Sequence, residues 1–219
     1  MRATIVIADA EIEVLPRDRA HAARFRATTD TVYGQWDVIL DHWLHGDILK
    51  FMPGGSRRGR PDIVHHALTL LLDSLAYRRG YIDVLVHTRN DELIRFDRKV
   101  DLTQNYFEFL HLMGQLHSEG HVGSGDGKIT IETVSGLGEV LKKVGAEVNI
   151  VMTPHGDQKG LEGLLGGFNS QKTCIVFGGF SEGEYRSPAY DLADITVSLG
   201  PEWLNITSVT AEILRCLPK

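Results

Sequence analysis

Apolar runs and amphipathic segments alternate along most of the chain. The stretch "ATIVIAD" at residues 3–9 is almost continuously apolar up to its aspartate, which is typical of a buried strand. The same pattern recurs in "KITIETV", "EVNIVMT", "TCIVFGGF" and "ITVSLG". Helical spacing is found in "SGLGEVLKKVG", "QKGLEGLLGGF" and "WLNITSVTAEILRCL", and the last of these helices should start near Asn205. Strands that alternate with helices predict an α/β fold with a largely parallel sheet and helices on both faces.

A largely buried helix is predicted to start at Asp62. The run "IVHHALTLLLDSLAYRRG" is apolar on much of its circumference, Asp62 is a suitable N-cap, and Gly80 should end the helix. The next stretches, "YIDVLVHT" and "ELIRFD", predict two strands that meet at a turn at Asn90–Asp91. Thr103 is then expected to cap a second amphipathic helix, "QNYFEFLHLMGQLHSEG", which ends near Gly120.

Residues 16–60 interrupt this alternation. They begin with a charged stretch, "PRDRAHAARFRATTD". The following "VYGQWDVILDHWLHGDILKFM" is predicted to be mostly helical with a break near Gly46, and "PGGSRRG" is predicted to be a loop. No repeat of about 20–50 residues and no long low-complexity linker divides the chain. We therefore predict a single domain over residues 1–219 with an insertion within about 16–60.

The composition is that of an ordinary globular protein, with 42% hydrophobic and 24% charged residues among 219. Its two cysteines, Cys174 and Cys216, both lie in apolar runs. This usage favours a reducing compartment and argues against a disulfide framework or a cysteine-rich zinc site. No apolar run approaches the ~18–20 residues that cross a bilayer, so no membrane partner is predicted.

Charge is unevenly distributed along the chain. The formal net charge is −6, yet residues 1–110 contain 13 arginines, three of them in "SRRGR". A local arginine patch can bind phosphate even when the whole protein is acidic. The alternative is a set of scattered surface arginines without a common ligand.

Several familiar catalytic motifs are absent. "GSGDGK" at 123–128 lacks the spacing of a phosphate-binding loop and has Ile129 in place of the magnesium-binding Ser or Thr, so a hairpin or connector is expected there. The first strand is not followed by the glycines of a dinucleotide site, and no G-x-S-x-G elbow occurs. His42 and His45 could share a helix face, but nothing in the pattern adds a further ligand, so no metal is predicted.

Three strands near the C-terminal end lead into loops of small or conformationally special residues, "MTPHG", "FGGFSEG" and "SLGPEW". Ligands of open α/β sheets bind beyond the carboxyl ends of the strands, and glycines there let main-chain groups approach a ligand closely. The apolar side chains that could line a flat aromatic group such as adenine are Phe177, Val197, Leu199 and Leu204. Ordinary tight turns are the alternative for each loop.

Five stretches in order resemble the ribosome-biogenesis pseudouridine methyltransferases of the SPOUT, or α/β-knot, superfamily. They are "RGRPDIVHHALTLLLDS", "DVLVHTRNDELIRF", "FEFLHLMGQLH", "CIVFGGFSEG" and "TVSLGPEWLNITSVTAEIL", and "DAEIEVLP" resembles the family's opening. The resemblance implies a C-terminal trefoil knot that binds S-adenosylmethionine, and a homodimer. It also implies methylation of nitrogen 1 of a pseudouridine in a hairpin loop of small-subunit ribosomal RNA, and a role in assembling that subunit. The location implied is cytoplasmic, or nucleolar in a eukaryote.

The resemblance also implies roles for individual residues. Arg60 and Asp62 are expected to form the catalytic site: Arg60 should contact the RNA or the target base, and Asp62 should either orient Arg60 or only cap the helix. The further arginines and the lysine expected to bind RNA are Arg57, Arg58, Arg95, Arg98 and Lys99. The residues expected to bind the cofactor are Met152, Thr153, Gly178, Gly179, Gly183, Val197, Ser198, Leu199, Gly200, Pro201, Glu202, Trp203 and Leu204, with the whole Gly178–Gly183 loop contributing main chain.

The sequence departs from the family pattern in two places. Asp101, Gln104 and Glu108 stand where the family carries arginines before its "F-x-x-L-M-x-x-L" helix, although the cations near residues 95–99 lie slightly upstream. "LGPEWL" replaces a Ser-Asn-Tyr-Pro-Leu type of loop. A second interpretation is therefore an RNA-binding ribosome-assembly factor with weak or lost methyl transfer. A metal-dependent hydrolase that uses the histidines is the third.

Overall fold

Eight strands form a single sheet in this computed structural model, which describes residues 3–16, 36–158, 160–167, 172–202 and 204–217. In chain order the strands are β1 (Ala3–Ala10), β2 (Ile82–Thr88), β3 (Glu92–Phe96), β4 (His121–Val122), β5 (Ile129–Thr133), β6 (Val148–Asp157), β7 (Thr173–Gly178) and β8 (Ile195–Val197). Their order across the sheet is β4-β5-β3-β2-β1-β7-β6-β8.

The sheet has a parallel part and an antiparallel edge. Strands β2, β1, β7, β6 and β8 are parallel neighbours, which confirms the predicted largely parallel sheet. Strands β3, β5 and β4 add the antiparallel edge, and β2 and β3 meet at Asn90–Asp91 as predicted. The "GSGDGK" stretch connects β4 to β5 and forms one 3₁₀ turn, Gly125–Gly127, so it is the connector that the sequence predicted.

Helices cover both faces of the sheet, as predicted. They are α1 (His42–Leu49), α2 (Pro61–Asp73), α3 (Leu75–Arg78), α4 (Tyr106–Glu119), α5 (Leu137–Val144), α6 (Leu161–Gly167) and α7 (Ile206–Cys216). Every residue of β1 is buried, and its side chains alternate between two cores. Ile5 and Ile7 pack with α2, α4, α6 and α7, whereas Val6 and Ala8 pack with α5. Within the described ranges, no helix combines the length and hydrophobicity that a membrane crossing needs.

The start and end of the predicted residue-62 helix differ from expectation. Helix α2 begins at Pro61, with Arg60 at its N-cap position, and the carboxylate of Asp62 binds the Arg60 guanidinium instead of a main-chain N–H. The predicted N-cap role of Asp62 is therefore wrong, because Pro61 at the first helical position places Asp62 inside the first turn. The helix also breaks at Ser74, whose ψ of 149° is extended and whose hydroxyl caps α3.

Two further helix boundaries differ as well. Asn105, not Thr103, caps α4, and Thr103 instead accepts a hydrogen bond from the Asn105 N–H. Residues 36–41 are not helical, because their main chain pairs with residues 13–15: the Leu15 N–H donates to the Val38 carbonyl. The predicted break near Gly46 lies one residue earlier, at His45, whose φ of −122° and ψ of 20° are not helical.

The described part of the predicted insertion packs as a small unit beside the segment that follows β1. Val14 bridges Ile39, and a separate apolar cluster joins Leu15, Leu40 and Leu49. Helix α1 therefore sits next to the chain that leaves the carboxyl end of β1. The rest of the insertion, residues 17–35, lies outside the described residues.

Candidate active site

A cavity of about 180 Å³ lies at the carboxyl ends of β6, β7 and β8. Because these strands are parallel neighbours, the loops that follow them meet at one edge of the sheet. Ten of the residues predicted for the cofactor line this cavity. They are Met152, Thr153, Gly178, Gly183, Val197, Ser198, Leu199, Gly200, Glu202 and Leu204.

The remaining three residues predicted for the cofactor are Gly179, Pro201 and Trp203. Pro201 is not among the lining residues, and Trp203 lies outside the described residues. Gly179 faces β1: a Cβ atom there would lie 2.7 Å from the Ile7 side chain and 2.8 Å from the Ala10 Cα. Gly179 is therefore needed for close packing of the loop against β1, and it does not line the cavity.

Other lining residues come from the same loops and from α7. Phe177 lines the cavity as predicted, and so does the predicted Gly178–Gly183 loop through Phe180, Ser181 and Glu182. The sequence analysis missed the residues that lie just beyond the predicted segments. They are Pro154, Glu184, Tyr185, Tyr190, Ile206 and Val209.

Three aromatic rings form the side of the cavity next to β6. Phe180 packs edge-to-face on Tyr185 with ring centres 5.4 Å apart, and Tyr185 packs edge-to-face on Tyr190 at 5.5 Å. The Tyr185 hydroxyl donates to the Met152 carbonyl at 2.8 Å, and the Tyr190 hydroxyl lies 3.3 Å from Thr153 Oγ1. Burial raises the pKa of both phenols, so they stay protonated and hold the wall as hydrogen-bonding groups.

Asp9, at the end of β1, fixes the chain that follows the aromatic wall. Its buried carboxylate accepts the Arg186 N–H at 2.5 Å, the Ser187 N–H at 3.0 Å and the Ser187 hydroxyl at 2.5 Å. The residue adopts a left-handed conformation with φ of 51°, which aspartate tolerates better than most residues. The buried ring of His87 stands 3.6 Å from the same carboxylate. Arg186 and Ser187 are thus tied to the central strand.

Arg57 makes its contacts inside the protein. Its Nε donates to the buried Glu11 carboxylate at 2.9 Å, and its Nη1 donates to the Glu184 carbonyl at 2.5 Å. Its guanidinium lies 3.9 Å above the centre of the Phe180 ring. Two of these partners, Glu184 and Phe180, belong to the cavity wall.

Arg58 and Arg89 complete this cluster of buried ions. Arg58 donates to Glu13 through both Nε and Nη2, and Arg89 Nη1 donates to Glu11. Burial raises the pKa of Glu11, an effect that Arg89 and Arg57 oppose. The hydrogen bond to Glu13 raises the pKa of Arg58. The two carboxylates of "EIE" are therefore matched by arginines from the 53–59 loop and from the end of β2.

Arg60 and Asp62 form a half-buried, two-pronged ion pair. Arg60 Nε and Nη2 each lie 2.9 Å from one oxygen of Asp62, and this hydrogen bonding raises the pKa of the guanidinium. The pair stands close to the cavity loops, because the Arg60 N–H donates to the Glu11 carbonyl and the Glu11 N–H donates to the Gly179 carbonyl. Asp62 thus orients Arg60, as one of the two sequence-based alternatives predicted.

The other cations predicted to bind RNA lie apart from Arg60. Arg95, on β3, pairs with Glu132 at 3.3 Å, and Lys99 pairs with Asp126 at 2.7 Å. Arg98 reaches Asp83, the second residue of β2, so it lies at the amino end of the parallel strands, opposite the cavity. The structure therefore brings Arg57, Arg58 and Arg60 together but not the second group.

The family model that matches this chain is described as EMG1/NEP1 methyltransferase, and it spans residues 5–217. The chain belongs to the EMG1/NEP1 methyltransferase family. The match covers all of α7 and every described strand except the first two residues of β1, so the cavity and the ion cluster both lie within the family's shared region.

Named EMG1/NEP1 relatives agree with this assignment. The chain is 32% identical over 96% of its length to a protein of Methanothrix thermoacetophila called ribosomal RNA small subunit methyltransferase Nep1, of which 93% is covered. It is 33% identical over 96% of its length to the protein of that name from Thermococcus kodakarensis, of which 94% is covered. A crystal structure of Archaeoglobus fulgidus Nep1 bound to S-adenosylhomocysteine matches with a TM-score of 0.82 at 29% identity, and covers 99% of this chain and 97% of that one.

The departures from the EMG1/NEP1 arginine pattern have local partners in this chain. Glu108, in the first turn of α4, accepts a hydrogen bond from the Thr103 hydroxyl at 2.5 Å. Asp101 is largely exposed and lies 3.9 Å from Arg78. At these two positions the chain carries negative charge, where the resemblance described above leads us to expect arginines.

Proposed function

We propose that this protein transfers the methyl group of S-adenosylmethionine to nitrogen 1 of a pseudouridine in small-subunit ribosomal RNA, and that it acts in assembly of that subunit. The observation that carries the proposal is the cavity at the carboxyl ends of β6, β7 and β8. The chain's family is one of methyltransferases, and the Archaeoglobus relative of the same fold was solved with S-adenosylhomocysteine, the demethylated form of this cofactor.

The lining residues fit the cofactor's chemistry. Phe177, Val197 and Leu204 supply an apolar surface for adenine, and Ser198 and Gly200 supply main-chain groups for its polar edge. Two carboxylates on the wall, Glu182 and Glu202, can attract the positive sulfonium and ammonium groups. When bound, the cofactor supplies an electrophilic methyl group, so the protein's task is to position the attacking nitrogen in line with it.

Arg60 is the residue proposed to act on the target side. Its pair with Asp62 uses Nε and Nη2, which leaves Nη1 directed by the pair but not engaged in it. A guanidinium held in this way can contact the uracil ring or a flanking phosphate, and its positive charge favours the ring anion that forms when the nitrogen loses its proton.

The finer parts of the proposal rest on the family resemblance. We propose that the RNA target lies in a hairpin loop, that two copies form a homodimer, and that the C-terminal chain forms a trefoil knot. We also propose a single domain over residues 1–219 and a cytoplasmic location, nucleolar in a eukaryote. Light scattering on the purified protein tests the dimer, because a mass near 24.3 kDa would exclude it.

A second function, that of an RNA-binding assembly factor with weak or lost methyl transfer, is favoured by one observation. All six cations predicted to contact RNA are paired with carboxylates, and acidic residues replace family arginines near α4. RNA phosphates would have to compete with these carboxylates for the cations, which weakens the affinity of the protein for RNA.

A methyl-transfer assay decides between the two functions. Synthetic hairpins with pseudouridine or uridine at the same loop position are incubated with the protein and labelled S-adenosylmethionine. Transfer to the pseudouridine hairpin alone is expected. Binding of cofactor and RNA without transfer would favour the assembly factor, and the lack of any cofactor binding in calorimetry would refute the methyltransferase.

A further inference from the structure

The contacts of Arg57 join the 53–59 loop to the wall of the cofactor cavity. One edge of the guanidinium binds Glu11, another donates to the Glu184 carbonyl, and its flat face covers the Phe180 ring. Only 15% of the side chain is exposed. The stretch that Arg57 holds lies between two other fixed points, Gly179, whose N–H donates to the Ala8 carbonyl, and Tyr185, whose hydroxyl donates to the Met152 carbonyl.

Phe180 and Glu184 also make other contacts: Phe180 packs on Tyr185, and the Glu184 carboxylate accepts from the Tyr190 hydroxyl and lies 3.3 Å from His155 Nε2. Phe180 follows Gly178 so closely that a Cβ atom on Gly178 would lie 2.4 Å from its ring, so the ring folds back over its own strand end. Glu184 is exposed, and its main-chain carbonyl is held by a charged donor, which makes a stronger hydrogen bond than a neutral one. Arg57 therefore joins both ends of the stretch from Phe180 to Glu184 to the buried Glu11, in addition to those contacts.

We propose that Arg57 is a positioning residue for the cofactor: it fixes the Phe180–Glu184 wall in the shape that binds S-adenosylmethionine. The inference rests on the proposed function of the cavity. It assigns to Arg57 a role inside the protein, in place of the phosphate contact that its position in an arginine-rich loop predicts. The ligand concerned is the cofactor, so the role can be measured without RNA.

Arg58 provides a matched control next to Arg57. Its side chain is 16% exposed, and it also pairs with a buried glutamate of the segment after β1. Arg89 lies close to both glutamates, since its Nη1 binds Glu11 and its Nε lies 3.7 Å from Glu13. Each glutamate therefore keeps one positively charged neighbour when Arg57 or Arg58 is replaced. The control differs in one respect: the hydrogen bonds of Arg58 go to Glu13, which does not line the cavity, whereas Arg57 contacts two residues of the cavity wall.

The experiment compares S-adenosylmethionine binding by the full-length wild type, Arg57→Ala and Arg58→Ala, with calorimetry for affinity and thermal unfolding for stability. Both variants should lose similar stability. Arg57→Ala should weaken cofactor binding by about tenfold or more, because it removes a charge-assisted hydrogen bond and a cation–π contact from the wall. Arg58→Ala should bind within about twofold of the wild type, since it leaves those two contacts in place.

Arg57→Lys separates positioning from simple charge. It keeps a positive charge beside Glu11 and is expected to fold, but an ammonium group cannot bind Glu11, reach the Glu184 carbonyl and lie flat on Phe180 at once. Its affinity should stay several-fold below that of the wild type. Full affinity in Arg57→Lys, or equal losses in the two alanine variants, would overturn the positioning role while the wild type still bound cofactor. A wild type that bound none would overturn the proposed function itself.

Discussion

Gly179→Ala is the substitution for which the structure gives the sharpest expected cost. Gly179 lies just after β7, and a Cβ atom there would meet Ile7 at 2.7 Å and two atoms of Ala10 at 2.8 and 2.9 Å. Ala10 belongs to the central strand and cannot rotate away. The loop cannot easily retreat either, because the Gly179 N–H donates to Ala8 and its carbonyl accepts from Glu11.

The expected loss of stability follows from these contacts. Overfilling a packed site costs roughly 1–3 kcal/mol. If the loop shifts to relieve the clash, one main-chain hydrogen bond is weakened as well, which adds about 1 kcal/mol. A total of about 2–4 kcal/mol corresponds to a fall in melting temperature of roughly 5–15 °C for a domain of this size. Circular dichroism during heating measures it.

Gly163→Ala is the matched control for this prediction. Gly163 is an exposed residue of α6, and a Cβ atom there would meet nothing within 4 Å. Alanine should therefore stabilise the protein by about 0.5–1 kcal/mol, since it favours the helix. A Gly179→Ala protein that melted with the wild type and bound S-adenosylmethionine equally well would refute the argument that this loop is held against β1.

Three further predictions concern RNA binding and pH. Arg60→Ala should weaken binding of a ribosomal RNA hairpin by roughly tenfold or more in a filter assay, since it removes a charged donor, and unchanged affinity would exclude Arg60 from the interface. Because the predicted RNA-binding cations are already paired, the slope of log affinity against log salt should be shallower than about −4, the value for six phosphate contacts with single-stranded RNA. Burial alone would lower the pKa of His117, but Glu92, 3.4 Å away, raises that pKa above its ordinary value. Burial alone would likewise raise the pKa of Glu92, but His117 lowers it below its ordinary value. This pair therefore stabilises the fold most between about pH 4.5 and 6.5, and less on either side. Urea unfolding of Glu92→Gln should show the largest loss of stability at about pH 5.5 and a smaller loss at about pH 9.

The sheet could be predicted from the sequence because its central strands, such as β1 and β7, are buried on both faces. A strand such as β1 has no polar alternation to confuse the pattern, and glycines mark the ends of β7 and β8. The cavity could be located for the same reason, since parallel strands bring their carboxyl ends together. Local capping was harder to predict: Asp62 fits an N-cap by residue type, but a neighbouring guanidinium binds its carboxylate instead.

The contacts that complete the site could not be predicted, because they join distant parts of the chain. Tyr185 reaches Met152 across 33 residues, and Arg57 reaches Glu11 across 46. Contacts between residues so far apart in the chain leave no helical or strand periodicity in the sequence from which they could be predicted. The tyrosine after "SEGE" is a visible aromatic residue in a polar loop, yet only the folded chain gives it a partner.

The ion cluster gives a physical reason for the many arginines in an acidic chain. Glu11 and Glu13 are buried where the chain leaves β1, and buried carboxylates need matched positive charge. Arg57 and Arg58 supply part of it, so the basic loop is used largely to hold the protein together. Arg60 differs, because its partner Asp62 lies two residues away on the same segment and the pair is partly exposed to solvent. Since main-chain hydrogen bonds connect Arg60 to Glu11 and Glu11 to the loop after β7, one short path joins the proposed target side to the cofactor side.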